Sequence, residues 1–180
     1  DVPPPPFAWD LWYSGVGGRS ISIDEANEIL KTIYQEQYPR CDGEPSQHQT
    51  LFDKPMHASK AIKQKAKDLG ASLVGICTLE QSDFYRGKTS NHRFAVALGL
   101  KMQWKEFQEV PSKRSAIECL RVYRELGEIV VNLADYIRRL GWEAEVEHPI
   151  GDVNVLHIPI ALKSGFGELG RHGSIINPEI

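Results

Sequence analysis

One long segment with helical periodicity constrains the fold of this chain more than any other feature. From about Ser115 to Leu140, apolar residues recur every three or four positions, and Gly141 follows directly. The spacing predicts a long amphipathic helix that ends at the glycine, with Ser115 and Glu118 forming a capping box at its start. The apolar stripe consists of Ile117, Leu120, Leu126, Ile129, Val130, Leu133, Ile137 and Leu140.

Shorter segments on both sides of this helix predict two more helices and several strands. The predicted helices span 22–34 and 54–69, and the predicted strands span 71–79, 93–100, 142–147 and, as a strand or a buried extended segment, 153–160. The order is helix, helix, strand, strand, long helix, strand, and no segment repeats. This order indicates a single-layered α+β fold.

Composition excludes several classes of protein. Of the 180 residues, 41% are hydrophobic and the net charge is −3, so we expect a soluble globular protein and no nucleic-acid partner. No apolar run approaches the roughly 18 residues that a membrane span needs. The sequence starts at Asp1 without a visible signal peptide, which favours a cytoplasmic location and leaves open an exported form whose signal was removed. The three cysteines form no CxxC pair, so we expect no zinc site or iron–sulfur cluster held by this chain alone.

Residues 1–54 form an N-terminal region of unusual composition. Four prolines, Pro3–Pro6, favour an extended conformation, and Phe7, Trp9, Trp12 and Tyr13 follow them. Two interpretations are open: a proline-rich ligand for a partner, or an arm that lies across the domain and inserts its aromatic side chains into grooves. Composition favours the arm. We therefore divide the chain into this arm with its helix, residues 1–54, and a main domain, residues 55–180.

A glycine-rich segment near the end of the sequence has the spacing G-x-G-x-x-G, at Gly165, Gly167 and Gly170. A dinucleotide site needs this motif between a strand and a helix, with an acidic residue about 20 positions later. Only ten residues follow Gly170, so we reject that interpretation. The glycines still allow a ligand or another backbone to approach closely. The adjacent Arg171 and His172 favour ligand binding over a purely structural turn.

A polar loop between the first two predicted strands carries Tyr85. A tyrosine acts as a general acid when a nearby cation lowers its pKa, and Arg86 and Lys88 are close in sequence. The alternative is an ordinary loop aromatic with its hydroxyl in water. The six histidines show no metal-ligand spacing, so we expect no metal site.

Three segments together resemble one family. They are Ala66–Ile76 (AKDLGASLVGI), Ala134–Ala144 (ADYIRRLGWEA) and Ile158–Glu179 (IPIALKSGFGELGRHGSIINPE). The chain resembles the cobalamin-dependent reductive dehalogenases over roughly residues 55–180, and more distantly the epoxyqueuosine reductases. The third segment is the longest match and the most specific.

The resemblance implies a nitroreductase-like sheet flanked by helices, incomplete in this chain, that binds a corrinoid base-off. It implies that the glycine-rich segment contributes to the corrinoid pocket through Gly165, Phe166, Gly167, Leu169, Gly170, Arg171 and His172. The expected reaction removes a halide from an organohalide with reduced cobalamin. It uses a tyrosine as the proton donor, which we place at Tyr85 with Arg86 and Lys88 as candidate cations.

This sequence departs from the family pattern at two places. Where members often carry a basic residue, this chain has Glu145, which leaves Arg86, Lys88 and Arg93 as the candidate cations. Members also continue into a ferredoxin-like portion that binds two iron–sulfur clusters, which these 180 residues do not contain. We therefore expect electrons from an iron–sulfur donor on a second chain or a missing portion. Two alternatives stay open: a non-catalytic corrinoid carrier or sensor, and an enzyme similar to epoxyqueuosine reductase.

Overall fold

A two-stranded antiparallel sheet packed between helices organises the computed structural model, which describes residues 23–110, 112–151 and 153–178. The helices are α1 (Ile23–Thr32), α2 (Pro55–Asp68), α3 (Lys113–Arg139) and α4 (His157–Lys163); the strands are β1 (Leu73–Thr78), β2 (Phe94–Gly99), β3 (Glu168–Leu169) and β4 (Ile175–Ile176). β1 pairs with β2, and β3 pairs with β4. This mixture of helices and small sheets confirms the α+β class. The predicted proline-rich arm, residues 1–22, lies outside the described residues.

Two cores lie on opposite faces of the β1–β2 sheet, because successive strand residues point to opposite sides. The core beneath α2 and α3 contains Ala66, Ala71, Ile129 and Leu133, with Val74, Val96 and Leu98 from the strands. The core beneath α4 contains Cys77, Ala97, Val155, Ile160 and Phe166. In the described part of the chain, no helix is long and apolar enough to cross a bilayer.

The end of α4 approaches β1 closely because residue 75 is glycine. A Cβ added to Gly75 would lie 2.4 Å from the carbonyl oxygen of Ser164 and 3.1 Å from the Phe166 ring. Any larger residue would push α4 away from the sheet. Gly75 therefore fixes where the glycine-rich segment begins.

The start of α3 corrects the predicted capping box. The N-cap is Ser112, whose Oγ accepts a hydrogen bond from the backbone N–H of Ser115 at 3.2 Å, and Ser115 Oγ accepts one from the Ser112 N–H at 3.1 Å. Glu118 is buried and accepts a hydrogen bond from the Gln103 N–H at 2.6 Å instead. The sequence analysis placed the N-cap at Ser115 instead of Ser112, because both serines precede the apolar stripe of the helix. Gly141, with φ of 82°, follows the end of the helix as predicted.

The strand predicted at Trp142–Glu147 is absent from the described structure. Glu143 and Glu145 are exposed while Ala144 is half-buried, but Trp142 is also exposed and Glu147 is half-buried, so exposure alternates only in the middle of the segment. The Ala144 carbonyl, however, accepts hydrogen bonds from the Arg138 side chain at 2.8 and 3.2 Å. The Ala144 carbonyl, which would accept a hydrogen bond from a neighbouring strand in a sheet, is therefore bound by the Arg138 side chain instead.

The segment predicted as a strand at 153–160 turns into helix α4. Val155 makes an isolated antiparallel bridge with Phe84, and the helix begins two residues later at His157. Pro159 is tolerated because it lies in the first turn, where a backbone N–H has no partner within the helix. Ile160 is buried against the sheet. The apolar residues that predicted a strand supply the buried side of a short helix.

Arg138 joins the end of α3 to two other segments. Its side chain is 5% exposed, and its guanidinium donates to the carbonyl oxygens of Arg40 at 3.2 Å, Ala144 at 2.8 Å and Cys41. The Asp135 carboxylate lies 3.4 Å away and balances the buried charge. The planar fork of an arginine suits several acceptors at once, which a lysine ammonium does not match.

His148 is the second buried polar contact of this region. Its Nε2 lies 3.0 Å from Gln37 Oε1, and the Gln37 amide nitrogen donates to the Arg124 carbonyl at 2.8 Å. Burial lowers the pKa of His148, and the nearby Ile150 carbonyl opposes this only in part. Gly127 makes room for the pair, since an added Cβ would lie 2.4 Å from His148 Nε2. The folded chain therefore favours the neutral imidazole.

We expect Arg138→Lys to lower the free energy of unfolding by roughly 2–3 kcal/mol, because it leaves buried carbonyls without donors. Chemical denaturation at pH 7 measures the change. Arg139→Lys is the matched control: Arg139 is exposed, so its effect should stay within about 0.5 kcal/mol. Equal effects of the two substitutions would contradict the role given to Arg138.

We also expect stability to fall as the pH drops from about 7 to 5. The pKa of His148 is lower in the folded chain than its ordinary value of about 6.5, so the unfolded chain binds the proton first. Denaturation midpoints across this range measure the effect. His148→Gln should flatten the profile, whereas His57→Gln, at an exposed position, should leave it unchanged. An unchanged profile in His148→Gln would rule out this histidine as the cause.

Candidate functional site

An apolar cavity of about 810 Å³ lies along β2, and every residue of that strand lines it. Its other walls come from both layers that flank the sheet and from the segment 143–147. The α3 side contributes Leu126, Val130, Leu133, Ala134 and Ile137, and the α4 side contributes Val155, Ile160, Phe166 and Ile175. The volume and the apolar walls suit an organic ligand or a set of large apolar side chains.

A polar cluster lies at one side of this cavity. The Glu145 carboxylate accepts hydrogen bonds from Ser90 Oγ at 3.1 Å and from Asn154 Nδ2 at 2.9 Å, and His92 Nε2 lies 3.8 Å from it. Ser90, His92 and Glu145 all line the cavity. A carboxylate next to an imidazole can exchange protons with a bound molecule. The sequence analysis singled out Glu145 alone and missed its partners Ser90, His92 and Asn154, because no short spacing joins them to it.

The loop that carries Tyr85 is fastened to α4 by a buried carboxylate. Asp83 is 2% exposed and accepts hydrogen bonds from Lys163 Nζ and the Glu80 N–H, each at 2.7 Å. Burial alone would raise the pKa of Asp83, but these two donors and the lysine charge hold it below its usual value. The Tyr85 N–H also donates to the Asn154 carbonyl at 3.0 Å. The loop is therefore joined to the residue that binds Glu145.

The Tyr85 side chain itself is 48% exposed. Arg86 is exposed and Lys88 is half-buried. None of these three predicted residues lines the cavity described above, and of the predicted corrinoid-binding residues only Phe166 does. Within the described chain, the two predicted groups therefore do not surround one common cavity.

The glycine-rich segment folds as a short hairpin of β3 and β4. Gly167 has φ of 142°, and an added Cβ would lie 2.1 Å from the Ile176 carbonyl oxygen, so the turn requires glycine. Phe166 is buried in the core beneath α4, where its N–H donates to the Ala161 carbonyl at 3.0 Å. The Asn177 side chain donates to the Phe166 carbonyl at 2.5 Å. The hairpin is thus anchored to the sheet by one aromatic side chain.

Two other glycines leave the backbone of this segment uncovered. Gly165 and Gly173 both have φ of 81°, and no atom lies within 4 Å of a Cβ added at either position. His172 folds over Gly170, since an added Cβ there would lie 2.8 Å from the imidazole ring. Arg171 and His172 are exposed. A large flat ligand can therefore approach the bare backbone, with two polar side chains beside it.

Comparison with curated proteins finds the relationship that the sequence motifs indicated. The chain is 30% identical to a tetrachloroethene reductive dehalogenase of Dehalobacter restrictus, over 71% of this chain and 31% of that protein. It is 29% identical, with the same coverage, to a tetrachloroethene reductive dehalogenase of Desulfitobacterium hafniense. The chain is related to the reductive dehalogenases. It spans about a third of the length of these curated relatives, and no family model matches it.

Solved structures of reductive dehalogenases share the fold. A catabolic reductive dehalogenase, NpRdhA, matches with a TM-score of 0.72 and 22% identity, over 88% of this chain and 23% of that one. A reductive dehalogenase described with a mechanism for B12-dependent dehalogenation matches with a TM-score of 0.68 and 21% identity, over 87% of this chain and 22% of that one. The resemblance to reductive dehalogenases is therefore confirmed in sequence and in fold.

We expect Lys163→Met to loosen the Tyr85 loop. Without the ammonium, the buried Asp83 carboxylate loses a hydrogen bond and a balancing charge, so its pKa rises and the loop opens more often. Amide hydrogen exchange of residues 81–88 should speed up severalfold. Lys67→Met, at an exposed position of α2, is the control and should leave this loop unchanged. Unaltered exchange in Lys163→Met would show that the ion pair does not hold the loop.

Proposed function

We propose that this chain belongs to a corrinoid-dependent oxidoreductase that removes a halide from an organohalide by two-electron reduction. The observation that carries the proposal is the 30% identity to a tetrachloroethene reductive dehalogenase, supported by the fold shared with solved reductive dehalogenases. One of those structures is described with B12-dependent dehalogenation. In this proposal residues 55–180 are the corrinoid-binding domain, and the β1–β2 sheet with its helices is part of a nitroreductase-like arrangement.

The glycine-rich segment fits a corrinoid because it offers a bare backbone rather than a covered surface. The residues that would hold the cofactor are Gly165, Phe166, Gly167, Leu169, Gly170, Arg171 and His172. Gly165 and Gly173 have open space where side chains would stand, and Phe166 anchors the hairpin in the core. When bound, a reduced corrinoid supplies the two electrons that break the carbon–halogen bond.

The replacement of a halide by hydrogen consumes two electrons and one proton and releases the halide ion. In this proposal the proton comes from the Tyr85 hydroxyl, and Arg86, Lys88 or Arg93 favours the phenolate that remains. The salt bridge between Asp83 in the loop and Lys163 on α4 restricts the position of this tyrosine.

The electrons must come from another source, which we propose is an iron–sulfur protein or domain. Cys77 is buried in β1, Cys119 lies on α3, and Cys41 follows the turn after α1. These thiols do not form a cluster among the described residues. Iron–sulfur ligands therefore belong to a second chain or to another portion of the polypeptide.

Corrinoid binding and halide release test the proposal separately. After incubation with cobalamin and gel filtration, the visible corrinoid band should co-elute with the chain. With a chemical reductant and an organohalide, halide release should fall about 100-fold or more in Tyr85→Phe, which lacks the acidic hydroxyl, while the corrinoid band is retained. Tyr123→Phe, at another exposed tyrosine, is the control and should keep full activity.

The possible failures point to different conclusions. A chain without a co-eluting corrinoid band would contradict the cofactor assignment. Binding without halide release from the unaltered chain, even with an iron–sulfur donor added, would favour the carrier or sensor. Unchanged halide release in Tyr85→Phe would reject this tyrosine as the proton donor and leave the rest of the proposal standing.

A further inference from the structure

The Glu145 carboxylate is held in a fixed position on the wall of the cavity along β2. Its Oε2 accepts a hydrogen bond from Ser90 Oγ at 3.1 Å, and its Oε1 accepts one from Asn154 Nδ2 at 2.9 Å. Ser90 Oγ is itself placed by the His92 N–H, which donates to it at 3.2 Å. Because each carboxylate oxygen has its own donor, rotation of the Glu145 side chain would cost both hydrogen bonds.

Asn154, which donates to Glu145, is anchored on both sides by its own backbone. Its N–H donates to Glu147 Oε2 at 2.8 Å, and its carbonyl accepts a hydrogen bond from the Tyr85 N–H at 3.0 Å. The next residue, Val155, is buried in the core beneath α4. The position of the Glu145 carboxylate is therefore set by the fold and not by a chance contact between two surface side chains.

The carboxylate keeps capacity to accept a further hydrogen bond. An ionised carboxylate has about four acceptor positions and no donor, so Ser90 and Asn154 use only part of this capacity. His92 Nε2 lies 3.8 Å from Oε2, which is too far for a hydrogen bond, so the imidazole offsets the negative charge only in part. A ligand that donates a hydrogen bond can bind to Glu145 without displacing either protein donor.

The rest of the cavity suits the apolar body of a small aromatic molecule. Its volume of about 810 Å³ lies in the usual range of small-molecule sites. β2 and α3 supply aliphatic walls, and flat aromatic side chains, which pack well against a planar ring, also line the cavity. These aromatic residues are Phe94, Trp104, Phe107 and Phe166.

The charges at the cavity restrict the polar part of such a molecule. Glu143 and Glu147 line the cavity together with Glu145, so an anionic group beside them would be repelled. A wholly apolar molecule would take water away from the carboxylate and offer no hydrogen bond in its place. The arrangement therefore favours one hydroxyl or amino group on an aromatic body.

We propose that Glu145 binds the hydroxyl or amino group of an uncharged phenol or aromatic amine whose ring lies in the cavity along β2. Glu145 determines the specificity of this site, and Ser90 and Asn154 are positioning residues that act through it. The site needs neither a corrinoid nor a halide, so it stands or falls independently of the proposed function.

Equilibrium binding of two matched probes tests the site. 2-Naphthol and 2-methoxynaphthalene share one aromatic body, but only 2-naphthol has a hydrogen-bond donor. In fluorescence titrations of the 180-residue chain at pH 7, 2-naphthol should bind about tenfold or more tightly than its methyl ether, because a hydrogen bond to a charged acceptor is stronger than one to water. The cavity is large enough for both probes, so the extra methyl group does not explain such a difference.

Substitutions at Glu145 assign the preference to this carboxylate. Glu145→Met keeps a side chain of similar length without an acceptor, so the two probes should bind with nearly equal Kd. Glu145→Gln keeps an acceptor oxygen but loses the charge, and the preference should fall about threefold or more. Glu44→Met, at an exposed position outside the cavity lining, is the control and should leave both affinities unchanged. Circular dichroism shows whether each variant is folded.

Three results would overturn the proposal. Equal affinities of the unaltered chain for both probes would mean that the carboxylate recognises no donor. A full preference for 2-naphthol in Glu145→Met, or in Glu145→Gln where the methionine variant does not fold, would place the donor-binding group elsewhere. Failure of both probes to bind would mean that the cavity is a place for other parts of the polypeptide and not for a small molecule.

Discussion

The buried Arg138 guanidinium joins the end of α3 to two other segments, one of which lines the cavity, and much of the surrounding structure depends on it. It lies near the end of α3 and donates to backbone carbonyls of residues 40, 41 and 144. The contact at Ala144 keeps the segment 143–147 beside the cavity instead of in a sheet. Gly43 lets the chain pass close to the guanidinium, since an added Cβ would lie 3.2 Å from Nη1. The Arg138 side chain thus supplies hydrogen bonds to the Ala144 carbonyl that a neighbouring strand would have supplied in a sheet.

Two buried carboxylates play a similar part for the loops at the cavity. Asp83 holds the Tyr85 loop through the Glu80 N–H and Lys163. Glu118 holds the segment that carries Trp104 through the Gln103 N–H and Arg121. The hydrogen bonds from Arg121 lower the pKa of Glu118, which burial would raise. In both loops a charged acceptor binds a backbone donor and a cation, so its burial costs little.

The sequence predicts the helices and strands that a short stretch of residues specifies, but it does not predict contacts between residues far apart in the chain. The apolar stripe and Gly141 located α3, and the runs at 71–79 and 93–100 located β1 and β2. The strand predicted at 142–147 was wrong because an alternating pattern does not identify a partner strand. The cluster of Ser90, Glu145 and Asn154 was not predictable, since Ser90 and Glu145 are 55 positions apart. The roles assigned to Tyr85 and to the glycine-rich segment stay predictions.

The walls of the cavity suggest how a ligand would be oriented there. β2 and α3 present apolar side chains, whereas Ser90, His92 and Glu145 form a cluster of hydrogen-bonding groups at one side. A molecule with one polar end would place its carbon skeleton against the strand and that polar end towards the cluster, because the reverse would leave the Glu145 carboxylate against hydrocarbon. Removing water from such a cavity strengthens every charge interaction inside it.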